Sequence, residues 1–196
     1  MKDTIFALST VPGLSAISVF RISGPNAFFV LKKITKAKVP ENRRASLRKI
    51  FWKGEIIDRC IVIVFNKNDS YSGEKTAEIH CHGSIAIINK LSAILNQFGS
   101  ELNIRPAEEG EFTRQAFYNG KMDLIQVEGL SDLLRAETEA QRKISFDSLD
   151  GVISKKIGVW KSRIVSILAF LEADIDFNDQ DLGDVEVSNM ISDLLG

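Results

Sequence analysis

Apolar and polar positions alternate with two different periods along this chain, and the change of period divides it. In the first part, residues 4–8 and 16–22 carry the strand pattern, the second ending before Ser23-Gly24. Pro25 suits the first position of a helix that carries Ala27, Phe28, Val30, Leu31 and Ile34. After a loop around Pro40, the run 50–52, the pair Lys53-Gly54 and the run 55–65 read as a hairpin. A polar loop over 66–73 leads to a strand at 76–82. Ser84 then stands where a helix cap belongs, with Ile85, Ile88, Leu91, Ile94, Leu95 and Phe98 on the buried side.

From Gly110 onward the helical period takes over. Residues 111–118 predict a short helix closed by Asn119-Gly120, and Asp123 with Gln126 predicts a capping box. The stripe Leu130, Leu133, Leu134, Ala140 and Ile144 predicts one helix running to Gly151. A second stripe follows at Ile153, Ile157, Trp160, Ile164, Leu168, Leu171 and Ile175. The expectation is an α/β domain over 1–120 and a helical segment over 121–196. Two long amphipathic helices leave apolar surface open, and Leu194-Leu195-Gly196 carries no ending signal. The segment therefore reads as the first part of a larger helical domain, or one completed by another chain.

Composition narrows the class. The 196 residues are 44% hydrophobic and 26% charged, which fits a globular protein and excludes disordered or fibrous ones. Two cysteines build no disulfide framework, no apolar run approaches the roughly 20 residues of a membrane span, and no signal peptide is legible. A cytoplasmic protein with no membrane partner is expected. The net charge is only −1, but ten Lys/Arg fall within 32–59 against Glu41, Glu55 and Asp58, and eight Asp/Glu with no Lys or Arg lie from Glu172 on. The basic stretch suits either RNA phosphates or a solvated hairpin surface.

Several patterns invite chemistry. These residues contain no Gly-x-x-x-x-Gly-Lys-Ser/Thr phosphate loop, so Asn66-Lys67-Asn68-Asp69, which spells a guanine-specificity pattern, is explained as well by a polar turn. His80-Cys81-His82 suggests metal, but strand geometry turns Cys81 away from the histidines, and no metal is expected. The same geometry puts Glu78, His80 and His82 on one face, which borders water or lines a polar pocket. Residues 105–124 are dense in charge, aromatics and glycine. A helix-turn-helix corner accounts for most of them but not for Lys121 and Asp123 flanking a tight turn between two domains.

Four stretches carry a resemblance. Asp3-Thr4-Ile5 through Thr10-Val11-Pro12-Gly13 to Arg21-Ile22-Ser23-Gly24 is the first. Tyr71-Ser72-Gly73-Glu74 with Glu78-Ile79-His80-Cys81-His82-Gly83 is the second. The third comprises Gly110-Glu111-Phe112-Thr113, Ala116-Phe117, Asn119-Gly120-Lys121 and Asp123-Leu124; the fourth is Glu172-Ala173 with Ile175-Asp176-Phe177. In order and spacing they resemble the N-terminal part of the tRNA-modifying GTPase family MnmE (TrmE). Lys75, Glu109 and the run Leu14-Ser15-Ala16 depart from the family pattern, and family members continue into a G domain.

The resemblance implies an α+β chain: a folate-binding α/β domain similar to aminomethyltransferases, then helices of an incomplete helical domain. It implies binding of 5-formyl- or 5,10-methylene-tetrahydrofolate through Arg21, Glu78 and Lys121, with no catalytic residue in this stretch, and formation of a homodimer. It further implies work with an MnmG-type flavoprotein on carbon 5 of the wobble uridine of tRNA, with GTP, Mg and K confined to the G domain. Chemically, Glu78 suits paired N–H donors of a pterin, and Arg21 and Lys121 suit an acidic tail. The alternatives are a non-catalytic RNA-binding or scaffold module using the basic stretch, and a stand-alone folate-dependent aminomethyltransferase.

Overall fold

The computed structural model describes residues 3–176, with side chains described through Glu172. The expected features at Ile175, Phe177 and Leu194-Leu195-Gly196 therefore lie outside the described side chains or residues. The chain is α+β and divides into two compact units, one up to Met122 and one from Asp123.

The first unit is built on a six-stranded sheet. Its strands are β1 (Thr4–Leu8), β2 (Ser15–Ser23), β3 (Ser46–Trp52), β4 (Glu55–Phe65), β5 (Thr76–Gly83) and β6 (Ile104–Pro106), in the order β3-β4-β5-β2-β1-β6. All neighbours are antiparallel except β1 and β6, which run parallel. Helices α1 (Ala27–Thr35) and α2 (Ile85–Asn96) bury their apolar sides against one face, with the short α3 (Gly99–Leu102) after them. Phe20, Ile22, Ile50, Val62 and Ile79 of the sheet meet Leu31, Ile34, Leu91 and Leu95 of the helices in this core. Each fully buried Leu or Ile contributes about 1.5–3 kcal/mol of transfer free energy. Strand alternation leaves the opposite face to Arg21, Glu78, His80 and His82, none of them buried. That asymmetry positions the site. Helix α4 (Glu111–Tyr118) follows β6, and Gly120 turns the chain at φ +67°.

Three local expectations change. Pro25 lies in the turn before the cap position Asn26, two positions ahead of the first helical residue expected of it. Ser84 holds the cap position of α2 without a side-chain bond, and Ile85 is exposed rather than buried. The single helix expected up to Gly151 is two, α5 (Leu124–Arg135) and α6 (Glu139–Leu149). Ala136 is extended, and Thr138 forms a second capping box with Gln141. The Thr-x-x-Gln signal was present in the sequence, but apolar periodicity runs through it unbroken.

In the second unit, α5 and α6 pack closely where Gly129 faces the end of α6; a Cβ there would lie 2.7 Å from the Leu149 nitrogen. Gln126 both completes the Asp123 capping box and donates from Nε2 to the Leu149 carbonyl at 3.0 Å. Helix α7 (Val152–Asp176) begins after Gly151 at φ +81°. Among the described residues, no helix is long and apolar enough to cross a membrane.

Candidate ligand site

The strand register sets Arg21 of β2 directly opposite Glu78 of β5. Arg21 donates from Nε to Glu78 Oε1 at 3.0 Å, and its Nη2 lies 2.9 Å from the same oxygen. The pair is only partly exposed, at 25% and 16% of the side chains, so screening by water is reduced. Two aromatic rings flank the guanidinium: Tyr71 with its centroid at 5.3 Å and Phe112 at 5.5 Å. Both distances suit cation–π attraction. The second oxygen, Glu78 Oε2, lies 3.5 Å from His80 Nε2, a buried nitrogen that has no hydrogen-bond partner among the described residues.

A buried hydroxyl relay explains how three distant segments meet here. Ser23, at the end of β2, shares a 2.7 Å hydrogen bond with Ser72 and donates to Gln115 Oε1 on α4 at 2.8 Å. Tyr71 and Thr113 share a 2.7 Å hydroxyl bond that ties the loop before β5 to α4. Asn119 donates from Nδ2 to the Ser72 carbonyl at 2.8 Å. Gly73 completes the clasp: at φ +72°, a Cβ would stand 2.6 Å from Asn119 Cβ. Unbonded, these buried groups would each cost about 1–3 kcal/mol, so satisfying one another makes the relay specific.

Of the three expected site residues, Arg21 and Glu78 are joined. Lys121 is not in contact with them among the described residues; its ammonium donates to the Asn68 carbonyl at 2.5 Å. Asn68 precedes Tyr71 by three residues, which bounds that stretch of loop to about 10 Å. Lys121 thus approaches the loop whose Tyr71 covers Arg21. A neighbouring cavity of about 310 Å³ is lined in part by Asp3, Glu74, Arg105, Glu111, Arg114 and Gln115, and by none of the three expected residues. Its cations are already committed. Arg105 spans Asp3 at 2.9 Å and Glu111 at 2.6 and 2.9 Å, and Arg114 reaches Glu108 at 2.6 Å. The fork from Arg105, together with the Glu108 N–H, outweighs burial and holds the Glu111 carboxyl down at about 2.

The other titratable residue on this strand is braced. His82 donates its backbone N–H to Asp58 Oδ2 at 2.9 Å, and its Nδ1 lies 2.8 Å from Oδ1. Burial pushes the Asp58 carboxyl up, but the bonds from His82, Arg59 and Cys60 prevail and lower it. Cys60 and Cys81 sit on the core face, and burial raises both thiols, Cys81 to about 11. Among the described residues, no three His, Cys, Asp or Glu side chains are grouped as a metal ion would need. Tyr71, Phe112, Ser72 and Gln115 were not singled out from sequence. Tyr71, Ser72 and Phe112 lie inside the quoted motifs, but their roles appear only when the motifs are brought together.

A family model described as the GTP-binding protein TrmE N-terminus matches residues 4–121, and one described as the MnmE helical domain matches residues 124–195. The chain is 44% identical over 182 residues to the tRNA modification GTPase MnmE of Caulobacter vibrioides, covering 93% of this chain and 40% of that protein. It is 42% identical over 193 residues to the protein of that name from Cereibacter sphaeroides, covering 98% and 44%. The chain spans less than half the length of these relatives.

Proposed function

This chain belongs to the MnmE (TrmE) family, and from that premise we propose that its first unit binds a one-carbon tetrahydrofolate, 5-formyl or 5,10-methylene, through Arg21, Glu78 and Lys121. The observation that carries the proposal is the Arg21–Glu78 pair, whose guanidinium lies 5.3 Å from the Tyr71 ring and 5.5 Å from the Phe112 ring. A flat, N–H-rich heterocycle fits such a setting. Glu78 Oε2 is left to accept from it, and the unpartnered His80 Nε2 lies beside that oxygen. Lys121 has no carboxylate partner among the described residues and suits the acidic tail of a folate. The folate would supply the reactive one-carbon unit, while these side chains bind and orient it.

The wider role extends the relatives' activity in tRNA modification to this chain. The unit would form a homodimer in the cytoplasm and support carboxymethylaminomethyl-type modification at carbon 5 of the wobble uridine of tRNA, together with an MnmG-type flavoprotein. Hydrolysis of GTP, with its Mg and K, would belong to a G domain outside these residues. Calorimetric titration with 5-formyltetrahydrofolate tests the site: Glu78→Ala should weaken binding by about tenfold or more, the scale of one lost charge-assisted bond. Equal affinity of wild type and variant would remove Glu78 from the site.

A further inference from the structure

The face of the sheet turned away from α1 and α2 carries a charge arrangement that the ligand site does not use. Lys49 of β3 stands directly opposite Arg59 of β4, and both are exposed. Like charges facing each other across an antiparallel pair oppose its formation. Within the basic stretch two charges are answered by carboxylates, Lys33 by Glu101 and Arg44 by Glu41. Among the described residues, no carboxylate pairs with Lys49, Arg59 or Lys53, the last at the hairpin turn with φ +45°. Asp58 adjoins Arg59 in sequence but forms no ion pair with its head group among the described residues. Its side chain is only 7% exposed and is occupied by the N–H groups of Arg59 and His82, the His82 ring and the Cys60 thiol.

On the same face, Leu47 opposes Ile61 in the ladder, and both are exposed beside the cations. We propose that this outer face of the β3–β4 hairpin is an RNA-binding surface, with Lys49, Arg59 and Lys53 on the phosphodiester backbone and Leu47 and Ile61 against ribose or base. Charge complementarity selects this occupant: an unanswered cationic pair on an exposed strand face is neutralised by a polyanion, with release of counterions. Naming the RNA as tRNA rests on the function proposed above; the electrostatics do not.

The test measures binding of an unmodified tRNA transcript by fluorescence anisotropy between about 50 and 200 mM salt. Parallel titrations use 5-formyltetrahydrofolate. Lys49→Glu places opposite charges across the ladder, so lost binding in that variant is not lost pairing. Lys49→Glu with Arg59→Glu should weaken tRNA binding by at least about tenfold at low salt and flatten the salt slope by about two units. Lys90→Glu, on the exposed side of α2, should change neither. Unaltered affinity and slope in the double variant, or no tRNA binding by wild type, overturns the surface. So does a change confined to sedimentation, which would make the face an interface between copies. Failure of wild type to bind the folate, with the tRNA result as expected, overturns the folate site alone.

Discussion

Glu111 accepts both Arg105 nitrogens and the Glu108 N–H, and its side chain is 8% exposed. Its carboxyl is held at about 2, below its ordinary 4.5. A depressed carboxylate stabilises the folded state above the unfolded value, and that contribution is lost as pH falls from 4.5 through 2. Glu111→Gln should therefore cost about 2 kcal/mol at neutral pH. It should also blunt the loss of stability between those pH values; urea melts at both ends of the range check each point. Gly73 belongs to the same scale. Gly73→Ala sets a Cβ 2.6 Å from Asn119 Cβ at a φ of +72°, so it should destabilise the unit by about 1–3 kcal/mol. It should weaken folate binding as well, because Tyr71 and Ser72 lie on the displaced loop; thermal melts and titration together report both effects.

At the scale of elements, a capping box marks the division of α5 from α6. Thr138 accepts from the Gln141 N–H at 3.2 Å, and Gln141 answers through Oε1 to the Thr138 N–H at 3.0 Å. Thr138→Ala should cost about 1 kcal/mol, and hydrogen exchange should quicken in the first turn of α6 while α5 is unaffected. Equal protection in both would mean that packing, not the cap, ends the first helix. The sheet shows the converse case. Alternation in 76–82 foretold one titratable and one apolar face, and β5 has both, because two-residue periodicity is a local property of extended backbone.

Over the whole molecule, the conspicuous feature is apolar surface on α7. Ile157, Trp160, Ile164 and Leu168 are 42–54% exposed along one helical face. A continuous stripe of this kind marks a contact surface or an aggregation liability. Sedimentation of the 196-residue, 21.8 kDa chain should therefore give concentration-dependent mass above that of one copy; a clean monomer at high concentration would contradict it.

Element types along most of the chain, the polar face of β5, the Asp123 cap and the glycine turns were legible in the sequence, because each depends on residues within a few positions of one another. The pairing of Arg21 with Glu78, 57 residues apart, was not, nor was the relay from Ser23 through Ser72 to Gln115. Those contacts exist only once the register of β2 against β5 and the docking of α4 are set by burial of the shared core. Local pattern states which way a side chain points. Which distant partner it meets is decided when the apolar faces close.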